Sequence, residues 1–223
     1  MKRALVVLDF DGFLVNSYRL LASAFDELGL DVGDETRFKN RRKFLKYVGG
    51  GKEFLSNLAT FSLPKKREVR KVLTEIYRSE GSIYPPFTTL MNEMLARPDL
   101  HVGIVSRNYT LEPGPTMRAV LSNSGIDQQA LDFVIPVPAG AKKHDVLLAM
   151  RSSNFDISLF GGDEVGDFRA ALATGYEALI ASYGFDDRRR LIEHGHVPEE
   201  NIFVSPDEVA QAFTKKLSER PRG

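Results

Sequence analysis

The 223-residue sequence predicts a doubly wound α/β fold, with a mostly parallel sheet and an α-helical domain inserted after the first strand. Three observations predict it. Six short apolar runs are continuous rather than alternating, as strands buried on both faces of a parallel sheet require. Helical patterns separate these runs from residue 82 onward. More than 90 residues lie between the first run and the second, and most of Ser17–Glu80 reads as helix.

The first strand is Ala4–Leu8, ending in Asp9. Helices are expected over Tyr18–Leu28, Phe38–Tyr47, Glu53–Ala59 and Lys65–Ser79; Gly49-Gly50-Gly51 reads as a flexible loop and Pro64 as a break. From there strands and helices alternate. A helix over Phe87–Arg97 leads to a strand at His101–Val105, and a helix over Thr116–Asn123 stops at Gly125 before a strand at Phe133–Ile135. A helix over Asp145–Arg151 precedes a strand at Ile157–Phe160. The helix Asp167–Thr174 is closed by Gly175, and a strand follows at Ala178–Ala181. After the last strand, Ile202–Val204, Ser205-Pro206-Asp207-Glu208 reads as an N-cap, a first-turn proline and two acids opening the helix Glu208–Leu217. The expected division is a core of residues 1–16 and 82–223 and an inserted helical domain of residues 17–81, with a frayed tail at Glu219–Gly223.

Composition narrows the function. Thirty Lys+Arg balance thirty Asp+Glu, which argues against a nucleic-acid partner. With no cysteine, disulfides, thiolate metal sites and cysteine nucleophiles are excluded. No apolar run approaches the roughly 20 residues of a membrane span. The basic start Met1-Lys2-Arg3 is followed by only five apolar residues before Asp9, too few for a secretory signal, so a cytoplasmic protein is expected. Nothing in the sequence sets an oligomeric state. The zero net charge conceals an asymmetry, since Asp34–Glu80 holds 13 Lys+Arg against 6 Asp+Glu, an excess of +7.

The chemistry concentrates at strand ends. Leu8-Asp9-Phe10-Asp11-Gly12 closes the first strand, where ligands bind in open α/β sheets. Residues i and i+2 of an extended segment share a side, so Asp9 and Asp11 converge, and Gly12 permits a sharp turn close to a ligand. Crowded carboxylates repel unless a cation or proton lies between them, and a hard divalent cation such as Mg²⁺ satisfies them. A second acidic group, Gly161-Gly162-Asp163-Glu164-Val165-Gly166-Asp167, follows another apolar strand. For Asp163 or Asp167 alone the competing reading is a helix cap. A third strand ends in Ser106, which by itself reads as a turn residue.

The order Asp9-x-Asp11-Gly12, Ser106, a lysine, then Gly162-Asp163-x-x-x-Asp167 resembles the haloacid dehalogenase (HAD) superfamily of phosphohydrolases. The stretches Leu121-x-x-x-Gly125-Ile126 and Gly175-Tyr176 through Tyr183-Gly184-Phe185 are similar to the family's connecting segments. Within the superfamily the sequence is most similar to the phosphoglycolate-phosphatase-like group, whose helical cap follows the first motif. The resemblance implies that Asp9 forms an aspartyl-phosphate while Asp11 acts as general acid and base. It implies Mg²⁺ on Asp9, the main-chain carbonyl of Asp11, Asp163 and Asp167, with Ser106 on a phosphoryl oxygen. The family's lysine offsets charge on the phosphoryl group; Lys142 and Lys143 both stand near the right place, and Lys143-His144-Asp145-Val146-Leu147 is the better match. His144 reads as an exposed first-turn residue.

Phe13 and Asn16 depart from the family's pattern, and Phe13 is expected to reshape the pocket near the leaving group. Arg107 and Asn108, after Ser106, are candidate contacts to an anionic substrate. So is Lys52 after the glycine run, with Arg41 and Arg42 beside it in the basic segment. The expected partner is a small phosphorylated metabolite hydrolysed under the cap. Competing readings are a phosphosugar mutase with the same core motifs and a non-catalytic phosphate- or metal-binding regulator. A metal-free dehalogenase is disfavoured by Asp11 and Asp163.

Overall fold

The computed structural model of the chain describes residues 4–29, 66–138, 140–151 and 155–219. Its elements in chain order are β1 (Ala4–Leu8), α1 (Ser17–Glu27), α2 (Lys66–Glu80), α3 (Pro85–Leu95), β2 (Leu100–Ser106), α4 (Pro113–Asn123), β3 (Phe133–Pro136), α5 (Lys143–Met150), β4 (Ile157–Gly162), α6 (Val165–Thr174), β5 (Glu177–Ala181), α7 (Arg188–Glu193), a 3₁₀ turn (Glu199–Asn201), β6 (Ile202–Phe203) and α8 (Pro206–Ser218). The strands form one sheet in the order β3-β2-β1-β4-β5-β6, and every pairing is parallel.

All five residues of β1 are buried, because the strand sits in the middle of the sheet with helices on both faces. Its side chains alternate between two apolar clusters. Ala4, Val6 and Leu8 face one that includes residues of α1, α2, α3, α4 and α8; Leu5 and Val7 face the other, built with α5, α6 and α7. The winding of the chain reverses between β1 and β4, which opens a crevice at the carboxyl ends of those strands.

Local chemistry sets the boundaries. The Asn16 side chain accepts from Arg19 N at 3.1 Å to cap α1, and Ser205 accepts from Glu208 N at 3.2 Å to cap α8. Gly175 ends α6 with φ of 75°. The departures from the sequence expectation include these three. Helix α4 starts at Pro113, since proline is tolerated in a first turn. Helix α5 starts at Lys143 rather than Asp145. Helix α7 was not anticipated: its Arg188-Arg189-Arg190 run hides a single buried residue, Leu191, and its start is set by Asp187 accepting from Arg190 N at 2.8 Å.

Of the expected inserted domain, α1 and α2 are described. They pack on one another, and Leu20, Leu21, Ala24 and Phe25 of α1 join Val69, Leu73, Ile76 and Tyr77 of α2 in the cluster that covers the sheet. The expected helices Phe38–Tyr47 and Glu53–Ala59, the Gly49–Gly51 loop and Pro64 lie outside the described residues, as does the tail beyond Glu219. No described helix is long and apolar enough to cross a membrane.

Candidate active site

Strands β2, β1 and β4 are neighbours, so their carboxyl ends bring Ser106, Asp9 with Asp11, and Asp163 to one place. Asp9 N still donates to Gly161 O at 2.8 Å, extending the ladder by one residue. The chain then turns at Gly12, whose φ is 78°. A side chain there would be strained, and its Cβ would collide with Asp163 Oδ2. The glycine is therefore what lets the two acidic loops touch.

Around Asp9 the partners are charged. Lys143 Nζ lies 2.8 Å from Asp9 Oδ2 and 2.6 Å from Asp167 Oδ1. Asp9 Oδ1 accepts from Phe10 N at 2.8 Å. Asp167 Oδ2 accepts from Asp163 N and Glu164 N, each at 3.2 Å, so the residue both caps α6 and faces the site. The sequence posed those roles as alternatives; one carboxylate fills both because it has two oxygens. Asp163 Oδ2 accepts from Phe185 N at 2.6 Å, while its buried Oδ1 has no hydrogen-bond partner among the described residues. Asp9, Asp163 and Asp167 offer oxygens that all lie within 4.8 Å of one another.

Electrostatics follow from this crowding. Burial pushes Asp9 up to about 8, against the pull of Lys143 and with Asp167 adding to the rise. Burial and the neighbouring Asp9 and Asp167 hold Asp163 well above the usual carboxylate range. For Asp167 burial is outweighed by Lys143, which holds it below that range. Burial alone would pull the Lys143 ammonium down, but Asp167 and Asp9 outweigh it and raise it.

Around Asp11 the partners are neutral. Its Oδ1 accepts from Tyr77 Oη–H at 2.7 Å and from Ser17 Oγ–H at 2.8 Å, and its Oδ2 accepts from Asn108 Nδ2–H at 3.0 Å. Burial raises the Asp11 carboxyl, and these three donors oppose the rise. Ser106 Oγ accepts from Asp11 N at 3.5 Å, and its hydroxyl is the weakest of the groups that pull the Asp9 carboxyl down.

A cavity of about 380 Å³ opens on this cluster, lined by Asp9, Asp11, Ser106, Lys143 and Asp167, with Arg107, Tyr109, Lys142, His144, Glu164, Arg169 and Phe185 among the rest of its wall. Arg107 and both lysines thus face it, but only Lys143 reaches the carboxylates; Lys142 is exposed and precedes α5. Asn108 was expected to touch substrate. It is absent from the wall and spends its amide on Asp11, while its Oδ1 accepts from Thr110 N at 3.1 Å. Lys52, Arg41 and Arg42 lie outside the described residues. The expectation for Phe13 is corrected: its ring is fully buried 4.9 Å from Phe87 and beneath Gly161, so it fills the core rather than the pocket wall.

Sequence reasoning missed Tyr77, Ser17 and Asp186. Tyr77 fell within a helix and reads there as one more apolar position. Asp186 is fully buried, accepts from Val165 N at 2.8 Å and pairs with Arg190, fastening the loop that carries Phe185 to the start of α6. Its only signal is an acid beside the N-cap Asp187.

No protein-family model matches the sequence, and no curated protein does. Solved structures do match. A haloacid dehalogenase-like hydrolase from Streptococcus pneumoniae superposes with a TM-score of 0.63 at 22% identity, over 95% of this chain and 98% of that one. A predicted phosphatase from Clostridium acetobutylicum gives 0.63 at 16% identity, over 96% and 100%. Protein Tyrosine Kinase A of Mycobacterium tuberculosis gives 0.60 at 20% identity, over 95% and 98%. The chain has the fold of the haloacid dehalogenase-like hydrolases, as its motifs implied. A hydrolase and a kinase on one fold show that the reaction must be argued from the site.

Proposed function

We propose that this chain is a phosphohydrolase that moves the phosphoryl group of a small phosphomonoester first to Asp9 and then to water, with residues 17–81 as a cap over the site. The observation that carries the reading is the unequal treatment of two acids in one strand-end turn. Asp9 lies against the ammonium of Lys143, as a nucleophile receiving an anionic group needs. Asp11 is held by uncharged donors, as suits a carboxyl that gives and takes a proton.

In the first half-reaction an Asp9 oxygen bonds to phosphorus as the P–O bond to the alcohol breaks. The electron pair stays on the alcohol oxygen, which takes a proton from Asp11. Water then attacks the phosphorus of the aspartyl-phosphate and gives a proton to Asp11 as the P–O bond to Asp9 breaks; the electron pair returns to the Asp9 carboxylate, and inorganic phosphate leaves. Lys143 offsets phosphoryl charge throughout, and Ser106 donates to a phosphoryl oxygen.

The residues fit a hard divalent cation such as Mg²⁺. Three buried carboxylates converge, Asp163 Oδ1 is a buried acceptor without a donor among the described residues, and burial and mutual repulsion raise Asp9 and Asp163. Asp9, Asp163 and the main-chain carbonyl of Asp11 would hold the ion; Asp167, whose oxygens already accept from Lys143 and two amides, would support it. The ion would supply positive charge to the phosphoryl oxygens.

A screen of sugar phosphates, phosphoglycolate and nucleotides, with and without Mg²⁺, tests the reading through phosphate release. Asp9→Asn should lower turnover by about 10³-fold or more with the fold intact. Full residual activity would remove Asp9 as nucleophile. A bisphosphate-activated arm that yields an isomer instead of free phosphate would reassign the chain as a mutase.

A further inference from the structure

Asp11 Oδ1 is reached from both ends of the inserted region. Ser17 is the first residue of α1, where the chain leaves the core, and Tyr77 lies in the last turns of α2, where it returns. Their hydroxyls donate to the same oxygen at 2.8 and 2.7 Å. The third donor is tied to α2 as well. Arg70 of α2 donates to Tyr109 O at 3.0 Å and to Thr110 O at 2.5 Å, and Thr74 Oγ1 accepts from Leu111 N at 2.8 Å. These bonds strap down the loop from which Asn108 reaches Asp11 Oδ2.

A carboxyl oxygen has about two lone-pair sites. Among the described residues two hydroxyl donors fill those of Oδ1, whereas Oδ2 receives one amide and keeps one site free. We infer that Tyr77 is a positioning residue for proton transfer: with Ser17 it pins Asp11 so that Oδ2 is the oxygen that carries the proton to the leaving group. The inference rests on the phosphohydrolase reading. It makes the fixed ends of the insert part of the catalytic alignment, independent of any substrate contact the insert makes. Tyr77 is buried and absent from the cavity wall, so its effect runs through Asp11.

Aryl phosphates of different leaving ability supply the test. Nitrophenolate departs without protonation, whereas phenolate departs far faster when protonated. Tyr77→Phe keeps the ring and removes the donor. Its kcat/KM for phenyl phosphate should fall about tenfold or more, with p-nitrophenyl phosphate changed by no more than about threefold. Ser17→Ala should show the same pattern, and carries the test if Tyr77→Phe fails to fold by circular dichroism. Equal losses on both substrates, or no loss on either, would overturn the inference while leaving the phosphohydrolase reading standing. Wild-type protein inactive on both esters, or Asp9→Asn as active as wild type, would overturn that reading and the inference with it.

Discussion

Asp9 keeps company with an ammonium and two further carboxylates, and its charge is set by them. Asp11, two residues on and as deeply buried, meets two hydroxyls and an amide. The same side chain therefore sits in two kinds of environment within one turn of chain. Charged partners govern how much charge Asp9 carries and exert their effect through space, so they tolerate small shifts. Neutral donors contribute about 1 kcal/mol each and fix direction, since a hydrogen bond weakens steeply as its angle departs from linear. The contrast separates a side built to handle charge from a side built to aim a proton.

The largest effect on stability is expected from removing the cation of the charged side. Lys143→Ala leaves Asp9 and Asp167 without the ammonium they share, which should cost about 3–5 kcal/mol of stability. Turnover should fall by about 10²–10³-fold. Lys142→Ala, which alters an exposed residue, should change kcat by no more than about threefold. Chemical denaturation and steady-state kinetics on the pair check this, and equal effects at the two lysines would erase the contrast. The aryl-ester series on Tyr77→Phe is the matching probe of the neutral side, where fold stability should change little.

A smaller effect is expected in the pH dependence of stability. Burial raises the Asp9 carboxyl from 3.8 to about 8 despite Lys143, and raises Asp163 in the same direction. Between these values the unfolded chain has released protons that the folded chain retains. The contribution is thus complete below about pH 4 and is lost as pH climbs through about 8. Asp167, lowered, acts only below the ordinary carboxylate range, and Lys143, raised, only at high pH. Melting temperature in EDTA should therefore fall from pH 5 to pH 8.5. Mg²⁺ should restore more at the higher pH, by about 2–4 °C for each kcal/mol recovered. A Mg²⁺ effect independent of pH would separate the ion from these carboxylates.

Much of this was legible in the residues. The six strands are read from their apolar runs because burial on both faces leaves little else that a strand could contain. Asp9, Ser106 and Asp163 meet because strand ends lie at one edge of a parallel sheet, and the motif spacing locates those ends. Side-chain partnership is less visible. Whether Asn108 faces a cavity or an acid depends on the path of a loop held by Arg70 and Thr74, residues more than thirty positions away. Phe13 looked like a pocket residue from its place in the motif; packing against Phe87 and Gly161 turned it inward. Tyr77 carries no local mark, because only the tertiary fold decides which aromatic tip on a helix meets a buried acid.

The claim on which the rest depends is that Asp9 takes the phosphoryl group. Acid quenching during turnover of a phosphomonoester, followed by peptide mass spectrometry, measures it directly. The account predicts a phosphoryl adduct on the peptide containing Asp9, absent in Asp9→Asn and, with p-nitrophenyl phosphate, whose leaving group needs no proton, accumulating when the water step is slowed in Asp11→Asn. Phosphate release at full rate with no adduct, or an adduct on another residue, would contradict it.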